Sequence, residues 1–430
     1  MRTILTLFIA GLAVFANAQI ALPAYALTNV QIIDAGHRTP LARQTILVRG
    51  GVIDQVFPDG SRQLPDSVPV MDMRERYIIP GLIDTHVHLA TDPSGVDNRT
   101  ATLNVLSRML YSGITSVRDM AGDARVLAGL SRDAGTGEIL SPDIYYSALM
   151  AGPDFFTDPR TVVSTRGGVA GRMPFMQAVS DSTQLPLAIA AAKGTGATGI
   201  KLYADLSGKE VAAIVAEAHR QGIKVWGHAW LFPAIPSDLV RAGVGSLSHA
   251  PLMAGEMLYR PAFGNVPDAW KKAGLSEVFW RDSVAARMDV LFKLMKQHNT
   301  LLDATMITYQ RWAQSDSSML WDYELTKRVT AAAYKAGVKI CAGTDDDQEQ
   351  FVQYEIKLLV KDAGFSPIDA LISATQYGAE AIGIEGTHGM VAAGKVADLV
   401  VLDKNPLADL DNLDAVYLVV KGGKMLSRRP

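Results

Sequence analysis

The 430-residue chain contains a single cysteine, Cys341, and this scarcity removes several classes of protein. No intrachain disulfide framework can form, and every zinc motif that needs cysteine ligands is excluded. Net charge is also small, because 41 basic and 44 acidic side chains leave −3. No overall charge therefore favours nucleic acid or an anionic membrane as a partner. With 37 glycines and 20 prolines, the chain is not collagen-like or of low complexity.

Residues 1–18 are typical of a secretory signal peptide. Arg2 precedes an apolar run over residues 4–15, and Ala-Asn-Ala at 16–18 fits a cleavage site. The run is short for a membrane span, although an uncleaved anchor is the alternative. No later segment has eighteen consecutive apolar residues, and no nearby cysteine could carry a lipid. We expect a cleaved, periplasmic or secreted protein that has no further contact with the membrane.

Most of the chain alternates apolar strands with helical stretches, which predicts an α/β fold with parallel strands and right-handed crossovers. Eight such units favour a (β/α)8 TIM barrel, although the count alone leaves an open sheet as an alternative. The predicted barrel strands are Ile78–His88, Ile114–Asp119, Asp143–Ala151, Gly199–Tyr203, Lys224–Ala229, Val244–Ala250, Thr300–Ile307 and Lys339–Asp345.

The two ends of the chain are rich in short β-strands and turn residues. Residues 19–77 and 388–430 are predicted to pair into one small β-sandwich domain, which leaves residues 78–387 for the barrel. Residues 251–299 form a connection far longer than usual. This insert is interpreted as a lid or a binding wall, or else as extra helices with a small core of their own.

The strongest motif lies at the end of the first predicted barrel strand, in Gly81-Leu82-Ile83-Asp84-Thr85-His86-Val87-His88. Side chains two residues apart on a strand point to the same side, so His86 and His88 can hold one metal ion. In a barrel this strand end lies at the face where active sites are built. A lone pair of histidines is more often structural, but the preceding apolar strand favours a metal site.

Three further predicted strands end in possible metal ligands: His228, His249 and Asp345. Each alone could be structural, as a buried histidine or a helix-capping aspartate. Together with His86 and His88 they place four imidazoles and one carboxylate at the same end of the barrel. This donor set suits Zn²⁺, with Mn²⁺, Fe²⁺ and Co²⁺ as alternatives.

The fourth predicted strand carries Lys201 between Ile200 and Leu202. Its charge would be desolvated inside a barrel, and alone it would be interpreted as a lysine that reaches the surface or pairs with an acid. Beside a histidine cluster, burial and nearby cations lower the pKa of a lysine. The neutral amine can then take up CO2 as a carbamate, an anionic oxygen ligand able to bridge two metal ions.

These motifs resemble the amidohydrolase superfamily and, within it, the branch of imidazolonepropionase and the Xaa-Pro dipeptidases, or prolidases. The resemblance covers nearly all of the mature chain. It is carried by residues 81–88, Lys201, His228, His249 and 343–345, and by the flanking segments 113–119, 394–402 and 420–424.

The resemblance implies a role for each candidate residue and two divalent metal ions, with zinc preferred, as cofactors. His86, His88 and Asp345 would hold the more buried metal, His228 and His249 the more exposed one, and carboxylated Lys201 would bridge them. A hydroxide shared by the ions would attack the scissile carbonyl. Asp345 would pass its proton to the leaving amine.

The chain departs from the dipeptidase pattern around the mouth of the barrel. Residues 150–156 read Met-Ala-Gly-Pro-Asp-Phe-Phe, Tyr203 ends the fourth predicted strand, and Trp230 follows His228 by two residues. The mouth is therefore more aromatic than in that branch. Tyr203 and Trp230 are predicted to contact the substrate, with plain packing as the alternative.

We expect an exported hydrolase of amide bonds acting on dipeptides such as Xaa-Pro, or on N-acyl amino acids with bulky or apolar groups. A lactonase or phosphotriesterase on the same centre is the nearest alternative. A one-metal deaminase is disfavoured because no glutamate closely follows His228, and a non-catalytic binding protein because no ligand is missing. The expected partner is a small-molecule substrate and not nucleic acid, and assembly of identical subunits stays open.

Overall fold

The computed structural model describes residues 19–20, 22–91, 98–258, 282–345 and 351–426. The predicted signal peptide and residues 259–281 of the predicted insert lie outside the described residues. The strands are β1 (Gln19–Ile20), β2 (Ala24–Ile32), β3 (Leu41–Arg49), β4 (Val52–Pro58), β5 (Val70–Asp72), β6 (Tyr77–Pro80), β7 (Leu82–Val87), β8 (Ile114–Asp119), β9 (Asp143–Ala151), β10 (Arg172–Met173), β11 (Met176–Ala178), β12 (Gly199–Leu202), β13 (Lys224–His228), β14 (Ser246–Ser248), β15 (Leu301–Asp303), β16 (Ile340–Cys341), β17 (Leu399–Leu402), β18 (Val416–Lys421) and β19 (Lys424–Leu426). The α-helices are α1 (Arg99–Tyr111), α2 (Ala124–Thr136), α3 (Pro159–Ser164), α4 (Leu185–Gly194), α5 (Gly208–Arg220), α6 (Pro236–Ala242), α7 (Gly255–Leu258), α8 (Asp282–His298), α9 (Met306–Ser315), α10 (Leu320–Lys335), α11 (Val352–Ala363), α12 (Pro367–Ser373) and α13 (Gln376–Ile382).

Eight parallel strands form the barrel that the sequence pattern predicted. Their order is that of the chain, β7-β8-β9-β12-β13-β14-β15-β16. The first strand meets the segment after the last one through the backbone hydrogen bond from Thr85 N to Ala342 O, at 3.0 Å. Asp345 N donates to His86 O at 2.8 Å on the same seam. The ring is thus nearly closed, and the predicted (β/α)8 fold is confirmed.

The helices around the barrel each turn an apolar face toward the strands. Helix α5 buries Val211, Ile214 and Val215, residues that its helical periodicity predicted. Its start is fixed by a capping box, in which Ser207 Oγ accepts from Glu210 N at 3.2 Å and Glu210 Oε2 accepts from Ser207 N at 2.7 Å. The local sequence therefore determines both where this helix begins and which face it buries.

Strands from both ends of the chain form a second, nine-stranded sheet. Within it, β6 pairs with β17 in antiparallel fashion and with β2 in parallel. The sheet has an apolar core of its own, which includes Tyr25, Ile46 and Val401. A strand-rich unit built from both termini is therefore confirmed, whereas the domain boundaries at 77/78 and 387/388 stay a prediction.

The predicted strand 78–88 is two strands, so this part of the prediction is wrong. Its first residues belong to β6 in the terminal sheet and the rest to β7 in the barrel. Gly81 separates them at a point where a Cβ would lie 2.1 Å from Thr115 Oγ1, so a side chain does not fit. The N–H of Gly81 donates to Asp398 O at 2.8 Å, which ties this junction to the C-terminal part of the chain.

The predicted strand 300–307 is wrong in its second half, because helix α9 begins at Met306. The side chain of Glu355 accepts hydrogen bonds from the N–H groups of Met306 and Ile307, both at 2.9 Å. It thereby satisfies two of the donors that every helix leaves open at its start. Glu355 lies 49 residues later in the chain, so no local pattern could reveal this cap.

Within the predicted insert 251–299, the described C-terminal part consists mainly of helix α8. Its residues Met288, Leu291, Phe292 and Met295 are buried in the core of the barrel, so this part is a barrel helix and not a lid. The described residues contain no helix with the length and apolar character needed to cross a bilayer.

Candidate metal centre

Polar side chains from the ends of five barrel strands meet in one cavity of about 500 Å³. This is the face at which (β/α)8 proteins build their active sites. All six predicted metal ligands line it: His86, His88, Lys201, His228, His249 and Asp345.

His86, His88 and Asp345 form the first group, and their ligand atoms all lie within 4.8 Å of one another. Asp345 Oδ1 is 3.0 Å from His88 Nε2 and 3.5 Å from His86 Nε2. Asp345 has a φ of 47°, a left-handed backbone conformation that aspartate adopts more readily than most non-glycine residues. Burial would raise the pKa of Asp345, but the surrounding imidazoles outweigh this effect and hold the pKa below its ordinary value.

His228 and His249 form the second group, with their Nε2 atoms 3.0 Å apart. His249 has a φ of 74°, and its backbone N–H donates to Asp303 O at 2.8 Å. Burial lowers the pKa of His249 to about 3 and that of His228 well below its ordinary value. Both imidazoles are therefore neutral at pH 7, the state in which histidine binds metal.

Three of the imidazoles are held through their Nδ1 atoms by side chains that are not among the six candidate ligands, and one of these partners, Thr91, itself lines the cavity. These contacts join His86 Nδ1 to Asp303 Oδ2 at 2.7 Å, His249 Nδ1 to Thr305 Oγ1 at 2.9 Å, and His88 Nδ1 to Thr91 Oγ1 at 3.3 Å. Outer partners of this kind orient metal-binding imidazoles and leave Nε2 to the metal. The donor set of imidazole nitrogen and carboxylate oxygen therefore fits divalent ions such as Zn²⁺.

Lys201 is fully buried beside these groups. Its Nζ donates a hydrogen bond to Ser248 Oγ at 3.3 Å. Burial lowers the pKa of Lys201 to about 7. A large fraction of the amine is therefore neutral near pH 7, and the neutral amine is the form that can add CO2.

Sequence reasoning missed Asp303, which lies directly beneath the site at the end of β15. Besides His86, its Oδ2 contacts Ser248 Oγ at 3.0 Å and lies 3.6 Å from Nη2 of Arg118. All of these side chains are buried. The available signal was a carboxylate at the end of the apolar run Leu301-Leu302-Asp303, the seventh of the eight strand ends.

Aromatic rings line two sides of the cavity. On one side, the ring of Tyr203 lies 3.9 Å from that of His228 and stacks on Phe155 at 4.4 Å, measured between centroids. On the other, Tyr309 meets Trp312 edge to face at 5.2 Å. Tyr203, a predicted substrate contact, is therefore part of the cavity wall.

Trp230, the other predicted substrate contact, is not among the residues that line this cavity. Its ring packs against Gly255, where a Cβ would lie 2.4 Å from Trp230 Cγ, and it meets Phe232 edge to face at 6.2 Å. Within the described residues this environment is one of packing. A contact between Trp230 and substrate stays a prediction.

The buried histidines should contribute stability to the metal-free protein that is lost as the pH falls. The folded state keeps His249 neutral down to a pKa of about 3, whereas the unfolded state takes up a proton near pH 6.5. Between these values the unfolded state binds more protons, so the free energy of unfolding falls as pH falls, by about 1.4 kcal/mol per pH unit for one such group. Burial raises the pKa of Asp84 to about 7, of Asp119 to about 6 and of Glu355 to about 8, and these groups oppose the effect over the same range. The contribution of His249 is therefore isolated by urea unfolding of chelator-treated wild type and His249→Asn, each at pH 6.5 and pH 5.5.

Relative to wild type, His249→Asn should become more stable as the pH falls from 6.5 to 5.5, since it removes one of the imidazoles that the unfolded state protonates. An identical pH dependence of the free energy of unfolding in the two proteins would contradict the assignment.

The fold and the donor set define a (β/α)8 barrel protein with a candidate metal site at its mouth, and the comparisons agree with that class. The chain belongs to the amidohydrolase family, whose sequence model matches residues 77–426. The resemblance noted from the motifs and the expectation of a hydrolase are both confirmed by this match.

The individual proteins to which the chain is similar differ from it at most positions. Ochratoxinase of Aspergillus niger is 26% identical over 395 residues, which cover 82% of this chain and 76% of that protein. Imidazolonepropionase of Chromobacterium violaceum is 22% identical over 414 residues, covering 86% and 88%. The crystal structure of a Xaa-Pro dipeptidase with bound methionine superposes with a TM-score of 0.75 over 94% of this chain and all of that chain, at 21% identity, and so shows the shared fold.

Proposed function

We propose that this protein is a two-metal amidohydrolase that cleaves amide bonds of small N-acylated or dipeptide substrates. The observation that carries the proposal is the convergence of all six candidate ligands on one cavity. Two divalent ions, preferably zinc, would be held by His86, His88 and Asp345 on one side and by His228 and His249 on the other, with carboxylated Lys201 between them. When bound, the ions would supply Lewis acidity and lower the pKa of water.

A side chain of the protein would transfer the proton from the attacking water to the leaving group. Asp345 is ionised and lies at the centre of the site, 3.0 Å from His88 Nε2. It can accept a proton from the attacking water and deliver it to the leaving amine, which must be protonated to depart. No serine or cysteine nucleophile is needed, in keeping with Cys341, which is buried away from the cavity lining.

The cavity walls indicate the kind of substrate. The rings of Phe155, Tyr203, Tyr309 and Trp312 offer flat apolar surfaces on two sides. Such surfaces bind bulky aromatic or apolar groups. The names of the relatives, ochratoxinase and Xaa-Pro dipeptidase, are consistent with amide substrates.

Arg160 is proposed to bind the carboxylate of the substrate. It lies on the cavity wall on helix α3, and its Nη2 contacts Asp158 at 2.7 Å and Tyr203 Oη at 3.4 Å. Asp158 holds the guanidinium in place through Nε and Nη2, which leaves Nη1 without a hydrogen-bond partner among the described residues and available to an anion. Both dipeptides and N-acyl amino acids carry such a carboxylate.

Replacing Arg160 with alanine should raise KM for N-acyl amino acids by about tenfold, the effect of one charge-assisted hydrogen bond. KM for the corresponding C-terminal amides, which lack the charge, should change little. The measurement is steady-state kinetics on paired acids and amides. Arg132→Ala on helix α2 removes another exposed arginine, 74% accessible, and serves as the control. An equal rise in KM for both members of each pair would count against a carboxylate contact.

The reaction class is tested with a panel of N-acyl amino acids, dipeptides, lactones and phosphotriesters, together with metal analysis. About two ions per chain and a preference for the amides would support the proposal. A preference for lactones or phosphotriesters would instead support the alternative hydrolase on the same centre. One tightly held ion per chain and release of ammonia would support a deaminase.

Export is also part of the proposal. It rests on residues 1–18, whose charged start, apolar run and small-residue site are typical of a signal peptide. The experiment is N-terminal sequencing of the protein recovered from its native host, where a mature chain beginning at Gln19 is expected. Recovery with Met1 intact in the cytoplasm would contradict it.

A further inference from the structure

We propose that Asp303 and Ser248 are positioning residues that together orient the nitrogen of Lys201 and the ring of His86. The inference rests on the proposed function, because it concerns the carboxylated form of Lys201. It adds two residues that have no predicted role in the site and gives each a separate task.

The four side chains form one continuous chain of contacts. Asp303 Oδ2 is 2.7 Å from His86 Nδ1 and 3.0 Å from Ser248 Oγ. Ser248 Oγ is in turn 3.3 Å from Lys201 Nζ. Ser248 and Asp303 are paired directly across β14 and β15, so the backbone register itself places them side by side. All four are buried, and water does not compete for these bonds.

The chemistry of the groups sets the direction of each hydrogen bond. An ionised carboxylate can only accept, so the single O–H of Ser248 points to Asp303. Ser248 Oγ is then an acceptor toward Lys201 and cannot also donate to it. The same oxygen of Asp303 accepts from His86 Nδ1–H, which leaves Nε2 of that ring without a proton and facing the cavity.

The direction of the bond to Lys201 suits a carbamate. When the neutral amine adds CO2, an N–C bond forms and the nitrogen releases one proton, giving Lys–NH–COO⁻ and H⁺. One N–H remains, and Ser248 Oγ is placed to accept it. Because the carbamate is planar like an amide, holding this N–H fixes the plane of the group and turns its two oxygens away from Ser248.

The first test compares wild type with Ser248→Ala. The protein is equilibrated with ¹³C-labelled bicarbonate and divalent metal, and the carbamate is quantified by ¹³C NMR. We expect nearly full carboxylation of wild type at ambient CO2. In Ser248→Ala the apparent affinity for CO2 should fall about five- to tenfold, the effect of one lost buried hydrogen bond. Added bicarbonate should restore both the carbamate signal and the metal content, a response that a purely structural defect would not give.

Ser116→Ala is the matched control. Ser116 is a fully buried serine on strand β8 of the same barrel, and its hydroxyl has no hydrogen-bond partner among the described residues. Its replacement should leave the carbamate signal unchanged. If wild type shows no carbamate, the proposed role of Lys201 fails. If wild type is carboxylated and Ser248→Ala is equally so at ambient CO2, the proposed role of Lys201 stands and the positioning inference is overturned.

The second test distinguishes the role of the hydrogen-bond-accepting oxygen of Asp303 from the effect of losing the volume of its side chain. Asp303→Asn keeps one oxygen for His86 and Ser248, and its amide group can occupy the place of Oδ1, which has no hydrogen-bond partner among the described residues. Asp303→Ala removes the acceptor. We expect metal affinity, measured by competition with a chromophoric chelator, to fall about 10- to 100-fold in the alanine variant and much less in the asparagine variant. Equal losses in the two would overturn the role of the oxygen.

Discussion

Replacing Lys201 with alanine should lower kcat/KM by about 10³-fold or more, which corresponds to about 4 kcal/mol of transition-state stabilisation. Lys201 is fully buried and lines the cavity with every other candidate ligand. Its removal would take away the carbamate that is proposed to bridge the two metal ions. Metal content should therefore fall from about two ions per chain to about one or fewer. The measurements are steady-state kinetics and elemental analysis of the same preparation.

Lys209→Ala is the control for this variant, because Lys209 is an exposed lysine at the start of helix α5. It should retain full activity and full metal content. Unaltered turnover in Lys201→Ala would reject the bridging role of the lysine. A loss of activity with two ions still bound would show that Lys201 acts by another route.

Replacing Asp345 with asparagine should lower kcat by about 10²- to 10⁴-fold, the usual contribution of a positioned proton acceptor and donor. Asparagine has nearly the same shape and tolerates the positive φ of this position, so folding should be little affected. It cannot accept a proton from water. The acidic limb of the pH–rate profile should therefore disappear or shift, in addition to the loss of rate.

Asp205→Asn is a close control, since Asp205 is also an aspartate with positive φ, at 55°, and is exposed. That variant should keep the activity and the pH profile of wild type. If Asp345→Asn lost metal but regained wild-type kcat and an unchanged pH profile at saturating metal, Asp345 would be a ligand without a role in proton transfer.

The convergence of the candidate ligands on one cavity could be predicted because each lies near or beyond the end of an apolar strand. In a parallel barrel all such ends lie on one face, so sequence position alone brings His86, His228 and Asp345 together. The residues that form the cavity wall were only partly predictable. Tyr203 follows its strand directly and faces the cavity, whereas Trp230 lies past the strand end, where the chain has turned away.

Contacts between distant segments could not be predicted. Asp303 reaches His86 across 217 residues, and Glu355 caps a helix that begins 49 residues earlier. A carboxylate beside an imidazole or a helix start is favourable at many places in a sequence. Only the barrel register selects which pair meets, as it does for Ser248 and Asp303. The same limit explains why strand 300–307 was predicted too long.

The junction at Gly81 has a consequence for the order of folding. The strand that leads into the barrel, β6, is paired with β17, and Gly81 itself bonds Asp398. The entry to the barrel is therefore fixed by residues that leave the ribosome some three hundred positions later. A nascent chain cannot complete either unit before its synthesis has almost ended. A chain that folds this late would stay open long enough to be threaded through a translocation channel, as the proposed export requires.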